Sequence, residues 1–309
     1  MAVYSIKDLE KLSGIKAHTL RAWEQRYDII NPKRTKTNIR YYLDDDLKFV
    51  LNIALLNKNG IKISKIADMN RNEIAEKVAA ISEINFEYGT QLDALTISMI
   101  EMDEYKFDRI ISTNIQQLGF ERTMLEIIYP FLDKLSVLWL TGSINPVQEN
   151  FMSYLIRQKI VVAIDNEPLV SGKEVNRFLI YLPEGEKQEL SMLFMHYLLK
   201  SRGNHVAYIG QDITLTDLKD ACNIYEPDFI FTMITETFSK EPLQQYVDRL
   251  SKNFQDCKIL LSGYQVVAQK VEQSNNIEIL KSLDQTMTLL EQIQPAKKKL
   301  ALAVRPVVA

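Results

Sequence analysis

Apolar positions along this chain recur in three rhythms, and each rhythm predicts a different kind of structure. In residues 1–75 they form short helical stripes. Ile6, Leu9 and Leu12 share one face of a first helix. Ser5 stands at its N-cap with Asp8 at the third helical position, and Gly14 ends it. Leu20, Trp23 and Tyr27 mark the buried edge of a second helix over 17–27. The stretch NPKRTKTNIRYY (31–42) is interrupted by Pro32 and Asn38 and rich in Thr, Ile and Tyr, so it reads as a short hairpin, or wing. Asp44–Asp46 cap a longer helix to about Asn57, Gly60 stops it, and a small helix follows over 64–69.

Residues 73–170 carry almost no strand pattern. Four helical segments fit, over 73–101 (with a break near Asn85), 104–118, 121–140 and 146–165, separated at Asp103, Gly119 and Thr141–Pro146. Leu118, Phe120, Leu125, Ile128, Phe131, Leu132 and Leu135 make a wide apolar stripe, which predicts a helical bundle. From 174 the rhythm changes again. Apolar runs at 175–182, 205–209, 229–234, 258–261 and 277–280 alternate with amphipathic helices at 187–202, 214–225, 241–254, 264–273 and 284–293. Strand–helix alternation of this kind predicts a doubly wound parallel sheet. The fold class expected is therefore multidomain, α and α/β. A winged helix-turn-helix (1–75) precedes a four-helix bundle (76–172), then a five-stranded flavodoxin-like sheet (173–294) and a flexible tail (295–309).

Charge sharpens this division. The chain's net charge is −3, yet residues 1–43 hold nine Lys/Arg against four Asp/Glu, and the remainder holds 28 against 36. A basic head on an acidic body suits a module that binds double-stranded DNA. In a helix-turn-helix the start of the second helix meets base edges; here that places Lys16, His18, Thr19 and Arg21, with Arg26 at the helix end for phosphate. The wing offers Lys33, Arg34, Lys36, Asn38 and Arg40, backed by Tyr41 and Tyr42. Trp23 reads as core rather than DNA contact, and Asp44–Asp46 as a cap rather than a metal site.

No apolar run is long enough to span a bilayer, the start MAVYSIKDLE has no basic-then-apolar signal, and Cys222 and Cys257 have neither disulfide-framework nor metal spacing. A cytoplasmic, non-membrane location is expected. No nucleophile–base pair, metal-ligand cluster or phosphate loop is visible, so neither catalysis nor a protein-bound metal is expected.

The segment YSIKDLEKLSGIKAHTLRAWEQRYDIINPKRTKTNIRYY resembles the MerR family of transcriptional regulators: a helix ending in SGI, then TLRAWEQRY, then a basic wing closing on RYY. The resemblance implies that Thr19, Arg21, Arg26, Arg40 and Tyr41 fall where the family contacts DNA. It also implies a homodimer or higher homo-oligomer on a near-palindromic site.

The order of domains resembles the cobalamin-sensing branch of that family, which includes light-responsive repressors. That branch carries Asp-x-His-x-x-Gly after its first α/β strand, the His being a cobalt ligand. Here Glu186, Gln188 and Ser191 stand in those places, so the ligand His is missing. A Gln amide is a poor transition-metal ligand beside imidazole. The family's Trp, nine residues, Glu-His becomes Trp139 with Glu149 and Asn150. Trp139 suits bundle core and ligand contact equally. The Gly-Gly turn after the fourth strand becomes Ser262-Gly263, and Thr232 or Thr235 stands for a channel-lining hydroxyl. Cobalamin bound without a protein His ligand, and no cofactor at all, both stay open. The crevice at the strand ends is expected to include Glu184, Gly185, Gln188, Gly210, Gln211, Asp212, Thr235 and Gly263. Two alternatives stand beside a regulator with a sensor or oligomerisation domain: a corrinoid-carrying methyltransferase-type module, and a regulator whose effector domain serves only partner binding.

Overall fold

A computed structural model of the chain describes residues 3–34, 38–84, 88–140, 144–170, 172, 175–236 and 241–293. Lys36, the expected break at Asn85, Thr141 and the tail 295–309 lie outside the described residues. The chain forms two compact units, Met1–Ile156 and Arg157–Ala309.

The first unit opens with strand β1 (Val3–Tyr4), helices α1 (Ile6–Ser13) and α2 (Ala17–Tyr27), and strands β2 (Lys33–Arg34) and β3 (Arg40–Leu43). The strands form an antiparallel sheet in the order β1-β3-β2, pairing Tyr4 with Tyr42 and Lys33 with Tyr41. α1 begins with the expected capping box. The Ser5 hydroxyl accepts from the Asp8 N–H at 3.3 Å, and the Asp8 carboxylate accepts from the Ser5 N–H at 2.8 Å. Gly14 closes the helix in the left-handed region at φ 71°. α3 (Asp44–Lys58) starts differently from expectation: Leu43 takes the N-cap position, and the Asp46 carboxylate reaches back, accepting from the Leu43 N–H at 2.8 Å.

α4 (Ile63–Ala67) leads into α5 (Arg71–Ile84), α6 (Tyr88–Glu101) and α7 (Glu104–Leu118). The helical segment expected over 73–101 is two helices, α5 ending at Ile84 and α6 beginning at Tyr88. α8 (Phe120–Thr123) runs through a π-helical turn at Met124–Ile128 into α9 (Tyr129–Leu140). The extra residue in that turn rotates the downstream face. Met124, Ile127, Ile128, Phe131, Leu135 and Leu138 are buried, while Leu118, Phe120, Leu125 and Leu132 are half-buried. α10 (Pro146–Asn166) crosses the division between the units. No gap in packing follows residue 75, because α3 packs against α1 on one side and against α5 and α6 on the other.

The second unit is the expected doubly wound α/β fold. β4 (Arg177–Tyr181), β5 (His205–Tyr208), β6 (Phe229–Met233), β7 (Lys258–Ser262) and β8 (Ile277–Leu280) alternate with α11 (Glu189–Ser201), α12 (Leu215–Tyr225), α13 (Leu243–Asn253), α14 (Tyr264–Ala268) and α15 (Leu283–Gln292). The sheet is parallel, in the order β5-β4-β6-β7-β8. Adjacent strands β4 and β6 align Phe178 with Phe229, whose rings stack at 4.7 Å. One core holds Leu179, Tyr181, Ile230, Ile259 and Leu261 of the sheet with Leu218 of α12 and Tyr246, Val247 and Leu250 of α13. Cys222 and Cys257 pack against its edge as free thiols. The helix expected over 264–273 ends at Ala268: Lys270 turns left-handed at φ 52°, and Val271 folds back into the core, donating its N–H to the Val266 carbonyl at 3.2 Å.

Candidate functional site

The head presents α2 by one edge. Leu20 and Trp23 are buried, so Trp23 is a core residue, while Tyr27 is half-buried. His18, Arg21 and Arg26 are exposed and Thr19 is half-buried. The start of α2 is held by a residue that the pattern did not single out. Lys16 offers no side-chain cap, and instead the Glu10 carboxylate accepts from the Ala17 N–H at 3.1 Å and pairs with Lys16 Nζ at 3.1 Å. Those hydrogen bonds hold the Glu10 carboxyl below its ordinary pKa, with Lys16 the larger cause.

In the wing, Lys33, Arg34 and Asn38 are exposed, and Arg34 Nη1 donates to Asn38 Oδ1 at 2.8 Å. Arg40 is engaged within the protein. Its Nε donates to both carboxylate oxygens of Glu24 on α2, which ties the wing to the helix. Tyr41 is half-buried; Tyr42 is buried, and burial raises its pKa. The head therefore exposes cations on α2 and the wing from a frame set by Leu20, Trp23, Tyr42 and the Arg40–Glu24 pair.

In the second unit, a crevice of about 650 Å³ opens at the C-terminal ends of the strands. It lies where the chain, having passed from β4 to β5 on one side, crosses back to β6 on the other side of β4, the switch point of such a sheet. Glu184, Gly185 and Glu186 line it from the loop after β4, Asp212 to Thr216 from the loop after β5, and Glu236, Glu241, Tyr246 and Arg249 from the β6–α13 side. The Gly185 N–H donates to Asp212 Oδ1 at 3.0 Å and ties the first two loops. Glu186, only 4% exposed, ties the first to the third: its Oε2 accepts from the N–H groups of Thr235 at 2.5 Å and Glu236 at 3.0 Å. Behind the lining residue Tyr246 lies buried Tyr181, the two hydroxyls 2.9 Å apart. Burial keeps both neutral, and the Tyr246 pKa is pushed up to about 12. Five carboxylates line the crevice, and its one cation among the lining residues, Arg249, is already paired with Glu241.

Of the residues expected around a cofactor, Glu184, Gly185, Glu186 and Asp212 line the crevice, and the others do not. Gln188 sits at the N-cap of α11 and Ser191 in its first turn, both half-buried and outside the crevice lining. Gly210, Gln211, Thr235 and Gly263 are likewise outside it. Thr232 is fully buried. Gly263 serves the backbone instead. At φ 113°, a Cβ there would lie 2.2 Å from the Ile234 carbonyl oxygen, so the close packing of β6 against β7 demands glycine. In the first unit Trp139, near the end of α9, is 50% exposed and so is not a core residue of that unit. Glu149 is half-buried and Asn150 exposed, both early in α10.

Position 188 is glutamine, and the Glu186 carboxylate is committed to backbone N–H groups. His196 lies midway along α11, where burial lowers its pKa to about 4. His205 opens β5 at the opposite end of the sheet, its Nδ1 2.6 Å from the Tyr225 hydroxyl.

Residues 4–73 match the family model of MerR HTH family regulatory proteins, and residues 91–163 that of the B12 binding domain. The chain is 24% identical to the HTH-type transcriptional repressor CarH of Myxococcus xanthus over 80% of its own length and 84% of that protein's. It is 25% identical to the repressor CarA of the same organism, over 73% and 74%. The head alone is 36% identical to the HTH-type transcriptional regulator MlrA of Escherichia coli (strain K12), over 24% of this chain and 30% of that one. Among solved structures, the monomethylamine corrinoid protein of Methanosarcina barkeri gives a TM-score of 0.48 at 12% identity, over 70% of this chain and 96% of that one, a likeness too loose to carry a conclusion. The chain joins a MerR-type helix-turn-helix head to a B12-binding domain and is homologous to the CarH and CarA repressors.

Proposed function

We propose that this protein is a sequence-specific DNA-binding transcriptional regulator that acts as a homodimer or higher homo-oligomer in the cytoplasm and catalyses no reaction. The reading divides it into a DNA-binding head (1–75), a helical cap (76–172) and an α/β effector domain (173–294). The observation that carries it is the exposed cationic edge of α2 beside the basic wing, in a segment matched by the MerR model. On this reading Lys16, His18, Thr19 and Arg21 face base edges. Arg26, Lys33, Arg34, Lys36 and Asn38 grip phosphate, with Tyr41 beside them, and Arg40 positions the wing through Glu24. A mobility shift against the DNA flanking its own gene, at two salt concentrations, tests this. Specific binding that weakens steeply with salt supports it, and no binding to any duplex at low salt overturns it.

The effector domain, on the same proposal, ligates no cobalt through a protein imidazole, and any cobalamin it holds keeps its own base. Gln188 and the distant placement of His196 and His205 support this. A spectrum of added cobalamin with cobalt coordinated by protein imidazole overturns it. A second reading, in which the domain takes no cobalamin and serves a partner, is favoured by the acidic lining of the crevice. Titration with cobalamin in light and dark separates the two.

A further inference from the structure

Within the first unit, α3, α5, α6 and α7 surround a cleft of about 360 Å³ that shares no residue with the head's cationic surface. Its wall is hydrocarbon where Val78 of α5, Ala94 and Ile97 of α6 and Ile110 of α7 meet, all buried. The volume is kept open by short side chains, Ala75 and Ala94. The same helices pack densely elsewhere: Ile53, Leu55 and Leu56 of α3 and Leu95 and Met99 of α6 are fully buried. Protein interiors pack at the density of organic crystals, so an open volume of this size amid close-packed helices matches a ligand pocket better than loose core.

The polar groups narrow the ligand. Glu101, Asp103, Lys106 and Arg109 bring two charges of each sign to the cleft. Lys106 is paired with Glu101 and Asp103, and the Arg109 guanidinium lies 5.6 Å from the Tyr105 ring centre. These charges cancel and offer an ion no net attraction. Asn52 of α3 also lines the cleft, and its Oδ1 is buried without a hydrogen-bond partner. A buried acceptor left unmet is costly, and a ligand donor reached by rotation of the amide would meet it. Ligand pockets are typically apolar walls with a few such placed polar groups.

We propose that this cleft binds a small, uncharged, largely apolar molecule carrying one hydrogen-bond donor, a site separate from the α/β crevice and independent of what that crevice holds. N-phenyl-1-naphthylamine, a neutral aromatic with a single N–H, is the probe. Its emission is expected to rise and shift to the blue on addition of the full chain, saturating at one probe per chain. Ala75→Phe fills the cleft from an exposed position on α5; it is expected to weaken binding about tenfold or more, with helical circular dichroism unchanged. Asn52→Leu is expected to weaken the probe roughly tenfold while leaving competition by naphthalene, which has no donor, unaltered. Failure of the probe to bind, or equal binding by Ala75→Phe and the unaltered chain, overturns the proposal.

Discussion

Arg40, on the second wing strand, donates from Nε to both carboxylate oxygens of Glu24 on α2, at 3.2 and 3.3 Å. The two side chains keep 29% and 17% of their exposure, so the pair is partly shielded from solvent. It fixes the angle between the two elements that carry the head's exposed cations. Glu24→Ala leaves a half-buried guanidinium unpaired and is expected to cost about 1–2 kcal/mol of stability, discounted for residual solvent screening. Urea denaturation of the variant checks this, and an unchanged midpoint would contradict the positioning role.

Arg21 and Arg26 stand exposed on α2, outside the frame that holds Arg40. If Arg26 meets a phosphate, Arg26→Ala lowers the slope of log affinity against log salt by about 0.9, whereas Arg21→Ala, at a base edge, relaxes sequence specificity. Trp23→Ala acts by another route: its ring is buried, so about 3 kcal/mol of folding stability is lost. Mobility shifts over a salt series, paired with melting curves, separate the two effects.

Glu186 satisfies the backbone N–H groups of Thr235 and Glu236 across the mouth of the crevice. Glu186→Leu strands both donors, at a cost of about 2–4 kcal/mol in all. Hydrogen exchange should quicken first at residues 235 and 236. Unaltered exchange there would show that the loop does not depend on the carboxylate.

Gly263→Ala sets a Cβ against the Ile234 backbone at a positive φ. Both the clash and the backbone strain oppose it, and roughly 2–4 kcal/mol of destabilisation is expected. A thermal melt of the variant within a degree of the parent's would refute the close-approach account.

His196 titrates near 6.5 when unfolded, but burial in the folded chain lowers its pKa to about 4. Between those values the unfolded chain binds the extra proton, so stability falls as the pH drops from about 6.5 toward 4. The loss approaches about 2–3 kcal/mol at the acid end. His196→Phe should flatten that part of the stability–pH curve; an equally steep curve in the variant would assign the effect to other groups.

Local chemistry settled much of this protein before any tertiary contact formed. The Ser5–Asp8 cap, the stop at Gly14 and the alternation of apolar runs after 174 each depend on residues a few positions apart. Such signals survive in the bare sequence, as do the basic head and the Gln at position 188. Tertiary structure decided what required distant residues to meet. Sixteen positions separate Glu24 from Arg40, and 49 separate Glu186 from Thr235. No periodicity announces either pair. By its place in the chain Glu186 is set to face a cofactor, and packing turns it inward to hold a loop. Trp139 suits core and ligand contact equally by composition, and only the folded chain shows it half-exposed. The same reason hid the acidic crevice and the apolar cleft. Each is a volume between elements, set by which strands and helices become neighbours, and neighbour identity is a property of the folded chain alone.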